Sequence, residues 1–379
     1  MNAVPGRRSP DIRTGFYDHA VRLHRQAPDR PLPREGRPYP DDESHGGRAS
    51  PSPSPPEDLR QAGTPVARVL DEHFAEPSAG PPALADALRD VYVPIHPNDE
   101  ITAAAHRADP ERARHTGRWL VRHGTDESSA VTGLALLAAV GTADDFPLVR
   151  TIGLLSNDFG PLAAHTLERL DGGTAQLLWL ADRVAGWGRV YVVEALCRLD
   201  DASARPWLLR RAVDGDFLNG YFAGKAAVAG RLHEELPELG HDHELLDHTG
   251  RLLAMLTHSS GMGMTLRHYP HSAAVLAAHV RHAGGLPPTA GRFRRLATLA
   301  LQLAAEPPEE SGCTAEQRDA LLAAHVALLD RADWCRTVGP ALAAGDEWLL
   351  WFADFSRSRL RLRVFEDRRP AAEGTGEDG

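Results

Sequence analysis

The sequence predicts an all-α fold of stacked antiparallel helix pairs, and three observations predict it. Strand signals are scarce, with no alternating β-branched runs bounded by turns. Amphipathic segments of 10–16 residues recur along most of the chain, broken by Gly, Asp and Pro. Leu137, Leu167, Leu196 and Ala227 recur at spacings of 30, 29 and 31, each late in a small-residue apolar segment.

Composition divides the 379 residues into three parts. Residues 1–65 hold 12 of the 29 prolines, including the run Ser50-Pro51-Ser52-Pro53-Ser54-Pro55-Pro56. Proline has no donor N–H, and few large apolar groups are present to offset ordering entropy. This part is predicted to be a disordered Pro-rich tail ending in a semi-rigid linker. One island breaks the pattern: Phe16, Ala20 and Leu23, at i, i+4 and i+7, can form one apolar face of a short docking helix between Gly15 and Gln26. The reading preferred here is a polar tail with incidental apolar residues. Residues 66–365 are predicted to be one helical domain. Residues 366–379, charged and Gly-rich, are predicted to be a second disordered tail.

Within the helical part the candidates follow in order. Val66–Glu76, Pro110–His123 and Ser128–Val140 come first, then Gly160–Leu170, Thr174–Ala185, Arg189–Leu199, Ala202–Ala212 and Leu218–Leu232. Glu244–Thr257, Ser272–His282, Gly291–Ala305, Thr314–Leu329 and Glu347–Arg357 complete the series. In the first three copies of the repeat a turn follows the phased leucine: Gly141-Thr142-Ala143-Asp144, Asp171-Gly172-Gly173-Thr174 and Asp200-Asp201-Ala202-Ser203. Their Asp, Ser and Thr side chains suit caps of the next helix. That helix opens on Phe146-Pro147-Leu148, Gln176-Leu177-Leu178 or Arg205-Pro206-Trp207, with Leu236-Pro237-Glu238 in a fourth copy. Proline is tolerated in a first turn, where its missing N–H would have been unpaired. Ala135, Ala163, Ala164, Ala195 and Ala226 let helices approach closely. A helix pair of this size cannot bury both apolar faces alone, and stacking its neighbours makes a continuous core.

The segment Glu194-Ala195-Leu196-Cys197-Arg198-Leu199-Asp200-Asp201, then Pro206-Trp207-Leu208-Leu209, then Asp214-Gly215-Asp216, resembles HEAT-like repeats of the phycobilisome-lyase type. Gly224-Lys225-Ala226-Ala227-Val228 resembles the alanine-rich helix that opens the next unit. The resemblance covers residues 128–240, and the flanks match only as helix pairs. That family often carries an arginine after the junction. Here Arg189 stands in the second junction only, and Gly220 and Tyr221 fall near that place in the third. The resemblance implies a right-handed α-solenoid and protein recognition, with no particular chemistry.

The residues that carry chemistry elsewhere are sparse. Gly220-Tyr221-Phe222-Ala223-Gly224-Lys225-Ala226 has three residues between its glycines where a phosphate-binding loop has four, and Ala226 lacks the magnesium-binding hydroxyl. No GxSxG or HExxH occurs, and no GxGxxG opens a βα unit. Eight of the 19 histidines fall between 241 and 282: His241, His243, His248, His258, His268, His271, His279 and His282. Gly240-His241-Asp242-His243-Glu244 sets two imidazoles beside two carboxylates, so a metal-dependent enzyme is the alternative function. Polar histidines at helix ends, with Asp242 as an N-cap, are the reading preferred. No cofactor is expected. Ser259-Ser260-Gly261-Met262-Gly263-Met264 reads as an irregular loop, and Lys225 as a snorkelling side chain. Trp348, Leu349, Trp351, Phe352 and Phe355 read as a helix sealing the last repeat, with Arg357, Arg359, Arg361 and Arg363 on a basic edge. A docking surface is the second reading of that helix.

Charge and composition narrow the partner. The formal charge of −10 and a pI of about 6.0 argue against a nucleic-acid binder, which needs clustered cations. Base-repair glycosylases with HEAT-like repeats use a cationic groove, which the central repeats lack. Cys197, Cys313 and Cys335 form no disulfide framework and suit a reducing compartment. No apolar run approaches the ~20 residues that span a bilayer, and the N-terminus lacks a signal-peptide core. A cytoplasmic location is expected. One lysine against 41 arginines, with abundant Ala, Gly and Pro, matches the codon usage of a GC-rich bacterium. Solenoids bind along equivalent positions of successive units. Those positions place Asp158, Phe159, Trp187, Asp216 and Phe217 in register, with Tyr221 nearby. Aromatics flanked by carboxylates suit a basic protein partner. The expected function is therefore a non-catalytic protein-interaction scaffold or adaptor. An immunity-type protein that masks a basic toxin is one form of it.

Overall fold

Every regular element of the computed structural model is helical, and no strand occurs among the residues it describes, 14–40 and 61–366. The helices run α1 (Phe16–Gln26), α2 (Thr64–Ala75), α3 (Pro81–Leu88), α4 (Asp99–Arg107), α5 (Pro110–His123) and α6 (Glu127–Val140). They continue with α7 (Phe146–Ile152), α8 (Gly160–Arg169), α9 (Gly173–Ala181), α10 (Gly186–Leu199), α11 (Arg205–Arg211) and α12 (Ala223–Ala229). The last six are α13 (His243–Leu256), α14 (Ser272–Ala283), α15 (Ala290–Ala305), α16 (Ala315–Leu329), α17 (Ala332–Ala343) and α18 (Glu347–Ser356).

Side-chain caps set many of the helix starts. Asn98, Asp109, Asp126, Asp242, Thr289, Thr314 and Asp346 each accept a backbone N–H of the first turn that would otherwise lack a partner. Asp242 takes the Leu245 N–H at 2.8 Å, as its sequence position predicts. Thr142 and Asp145 form a reciprocal capping box before α7. The second predicted turn behaves differently: α9 is preceded by Gly172 at the N-cap, in the left-handed region at φ +82°, with no side-chain cap.

The predicted helical stretch divides at Asp201/Ala202 into two compact units, the cut falling inside the third predicted pair. In the first unit α2 packs on α4, α4 on α6, α6 on α8 and α8 on α10. The intervening helices form a second series, α3 on α5, α5 on α7 and α7 on α9. Helix α6 is buried without a break from Ser129 to Ala139, consistent with its apolar character all round. It meets α5 through a glycine contact. A Cβ on Gly133 would lie 2.8 Å from Leu120 Cβ and from the Val121 nitrogen, so only glycine allows that crossing. The phased residues Leu137, Leu167 and Leu196 are all at most 1% exposed.

In the second unit α11 packs on α13, α13 on α15 and α15 on α17, with α14 on α16. Trp334 of α17 and Phe293 of α15 are fully buried there. The fourth phased residue, Ala227 on α12, is also fully buried.

One predicted boundary is corrected. Residues 14–40, assigned from the sequence to the disordered tail, fold onto the first unit. α1 is the short docking helix that Phe16, Ala20 and Leu23 suggest, and it contacts α5 and α7. Phe16, Ala20, Leu32 and Tyr39 are each at most 5% exposed, so burial of a few large groups offsets the ordering cost the prolines impose. The chain after α1 turns through three successive left-handed residues, Arg34 (φ +48°), Glu35 (φ +57°) and Gly36 (φ +91°). The two non-glycine residues each cost about 1 kcal/mol or more in that conformation. Gly36 is required: a Cβ there would sit 2.4 Å from Leu155 Cδ2. The rest of the tail, 1–13 and 41–60, and the C-terminal 367–379 lie outside the described residues.

Candidate protein-binding surface

The six predicted contact residues do not share one environment. Trp187 is 36% and Phe217 70% exposed, Asp216 and Tyr221 are half-buried, and Asp158 and Phe159 are buried. Asp158, Phe159 and Trp187 belong to the first unit, and Asp216, Phe217 and Tyr221 to the second.

Asp158 and Phe159 lie just before α8, and the chain's own N-terminal segment covers them. The Tyr39 hydroxyl donates to Asp158 Oδ2 at 2.7 Å, and Arg37 Nη2 reaches the same oxygen at 2.5 Å. Asn157 Nδ2 donates to Oδ1 at 2.8 Å. The Phe159 ring is flanked by Phe16 and Tyr39, with centroids 5.3 and 6.2 Å away, and is fully buried. Burial, then the Asp158 charge, pushes the Tyr39 phenol well above its ordinary pKa. The prediction of an open surface at Phe159 is thereby corrected. Its coverer lies about 120 residues earlier, in a segment whose proline content read as tail.

Trp187, near the start of α10, stacks on Tyr191 at 6.0 Å. In the second unit Asp216 accepts the Leu218 N–H at 2.8 Å, and Asn219 Oδ1 accepts the N–H groups of Asp214 and Gly215. This turn leaves Phe217 at its tip. The loop Ser259–Met264 presses on the glycine motif that leads into α12: a Cβ on Gly220 would lie 2.7 Å from Met262, and one on Gly224, in the first turn of α12, 2.4 Å from Met264. Those glycines make room for methionines, and Lys225 beyond them is exposed.

The predicted arginine of the second junction, Arg189, is buried and donates to the carbonyls of Ala181 and Val184 at the end of α9. Two further arginines, each two residues after a phased leucine, tie α8 and α10 back to the helix two before. Arg169 donates to the Ala138 carbonyl of α6, and Arg198 pairs with Glu168 of α8 at 2.7 Å. Their shared spacing after the phased leucines is legible in the sequence.

The histidines of 241–282 disperse. His248 accepts the Val213 N–H at 2.9 Å, His268 bonds Thr265, and His271 stacks on His233 at 3.7 Å. His279 is buried, beside the fully buried His325 of α16. Burial holds their pKa values down at about 3 and about 4, with further repulsion of the His279 cation by His325, Arg295 and Arg292. Among the described residues no group of three or more His, Cys, Asp or Glu converges in a metal-holding arrangement. No helix among them is long and apolar enough to cross a membrane.

Helix α18 presents the largest exposed aromatic cluster. Leu349 and Phe352 are buried, sealing the second unit, while Trp351 and Phe355 are 53% and 51% exposed. Trp348 stacks on Phe352 at 4.8 Å and Trp351 on Phe355 at 5.0 Å. These rings line a groove of about 310 Å³ shared with Leu301, Gln302 and His258. The sequence assigned this helix to sealing, and the structure gives its other face a second surface. Comparison with family models, curated proteins and solved structures finds no match to this chain.

Proposed function

We propose that the chain is a non-catalytic protein-interaction scaffold, in which helix pairs stack in the manner of an α-solenoid within each unit and exposed aromatic side chains anchor a partner protein. Alternating packing of every second helix, and burial of all four phased residues, support the architecture. The observation that carries the function is the α18 groove, where two stacked aromatic pairs leave Trp351 and Phe355 half in solvent. Exposed Trp and Phe gathered at one groove are the composition of an interaction hot spot, whereas scattered single apolar residues are ordinary surface. Phe217 and Trp187 are the predicted contacts that stay accessible. The net charge of −10 favours a basic partner by complementarity.

The test compares proteins captured from the source cells by the wild type and by Trp351→Ala/Phe355→Ala. The partner should be retained by the first and lost by the second, while the melting temperature shifts little because both side chains are half exposed. Equal capture by both proteins would remove the α18 reading.

A further inference from the structure

The segment from α1 to Pro40 is held on the first unit in a manner that resembles a bound peptide. Its anchors at Asp158 converge: the buried Phe16 and Tyr39 rings against Phe159, and the partly exposed Arg37 guanidinium with the Tyr39 phenol on one oxygen of Asp158. Arg37 also lies over the Tyr39 ring, 4.6 Å from its centroid, so cation and phenol arrive as one preassembled pair. Between these anchors Ala20, Ala27 and Leu32 are also buried, and the turn at Pro28 and Asp29 is held at the surface. Arg183 donates to the Pro28 carbonyl at 2.7 Å and to Asp29 at 2.9 Å, and Asp29 is 85% exposed. The left-handed residues Arg34 and Glu35 sit immediately before the anchors, a conformation that persists only while the surrounding contacts hold it. Residues 41–60 join Pro40 to the body, 20 residues of chain that can span up to roughly 70 Å at about 3.3–3.6 Å each, so the strap can leave without pulling on α2.

We infer that Asp158, with Asn157, Leu155 and Phe159, forms a recognition site for an Arg-x-Tyr segment, filled here by Arg37-Pro38-Tyr39 of the chain itself and opened when a partner carrying the same pair displaces that strap. The buried carboxylate supplies one acceptor for both donors, which selects a guanidinium two residues before a phenol. The apolar wall supplies the face for the ring. The tether gives the internal copy a high effective concentration, so the site takes up an external segment only when that segment binds more tightly or the strap is weakened. This site lies wholly in the first unit and stands independently of the α18 groove.

The probe is a dye-labelled synthetic peptide of residues 28–40, titrated by fluorescence anisotropy into the full chain. Arg37→Ala/Tyr39→Ala in the protein weakens the strap and should raise peptide affinity at least tenfold over the wild type. Adding Asp158→Asn should abolish that gain, as should Tyr39→Phe in the peptide. Hydrogen exchange of the wild type gives a second reading that needs no variant. Amides of residues 28–40 should exchange at least tenfold faster than those of α6 and α8, and faster still with unlabelled peptide in excess. If the Arg37→Ala/Tyr39→Ala protein keeps the exchange protection of α6 and α8 yet binds no peptide, the recognition site is overturned. If the strap exchanges only at the rate of α6 and α8, it is a permanent part of the core and its displacement is overturned.

Discussion

Arg112 reaches from the first turn of α5 to four carbonyl oxygens near the end of α2, those of His73, Phe74, Glu76 and Ala79, at 2.7–3.1 Å. The last carbonyls of a helix have no partner within it, and a planar fork of N–H donors can satisfy several at once. Arg114 does the same for Val140 of α6, Arg318 for Leu303 of α15 and Arg331 for Gly284 after α14. In a chain of 41 arginines and one lysine, this use of guanidinium is the recurrent interhelical bond. Arg112→Lys keeps the charge but loses the fork, and should lower the unfolding free energy by about 2 kcal/mol, read as a lower urea midpoint at unchanged slope.

At the scale of elements, α14 and α16 meet beside two imidazoles kept neutral by burial. Their ordinary pKa is 6.5, and in the fold they lie near 3 for His279 and 4 for His325. Depressed values mean that the unfolded chain takes up these protons first. The stabilisation is complete above pH 6.5 and is lost as pH falls toward 4, by roughly 1 kcal/mol per histidine per pH unit. Urea midpoints should drop between pH 7 and pH 5.5, above the range where carboxylates titrate. His279→Gln/His325→Gln should flatten that drop. Much of the helical pattern was legible in the chain: Pro110–His123 coincides with α5, and most other segments differ by one to three residues at an end. Helices α3, α4 and α17 went unread. α3 is eight residues long and opens on two prolines, and α17 carries Pro340 in its interior, so proline read as punctuation in both. The candidate surface was less legible. Helical phase puts Phe159, Trp187 and Phe217 in register, but what covers each is decided by chain that is distant in sequence. Only long-range packing could separate the buried ring from the two exposed ones.

At the scale of the molecule, the repeat and the packing disagree on where the chain divides. The thirty-residue phase would close the third pair after Ala212, whereas packing separates the units at Asp201. Leu208 and Leu209 of α11, each 1% exposed, belong to the second unit, where α11 packs on α12 and α13. A fragment of residues 1–201 should therefore melt cooperatively by circular dichroism and elute as a single species. A fragment of residues 1–213 carries α11 without its partners and should aggregate.

The guanidinium contacts also set which chemical extremes the molecule withstands. Arginine stays protonated far beyond the point where lysine gives up its charge, and the buried Tyr39 phenol resists ionisation as well. Alkaline solution thus leaves the ties between helices intact, whereas mild acid favours the unfolded chain, in which the His279 and His325 imidazoles take up protons that the fold refuses. Tolerance should be lopsided, wide toward base and narrow toward acid.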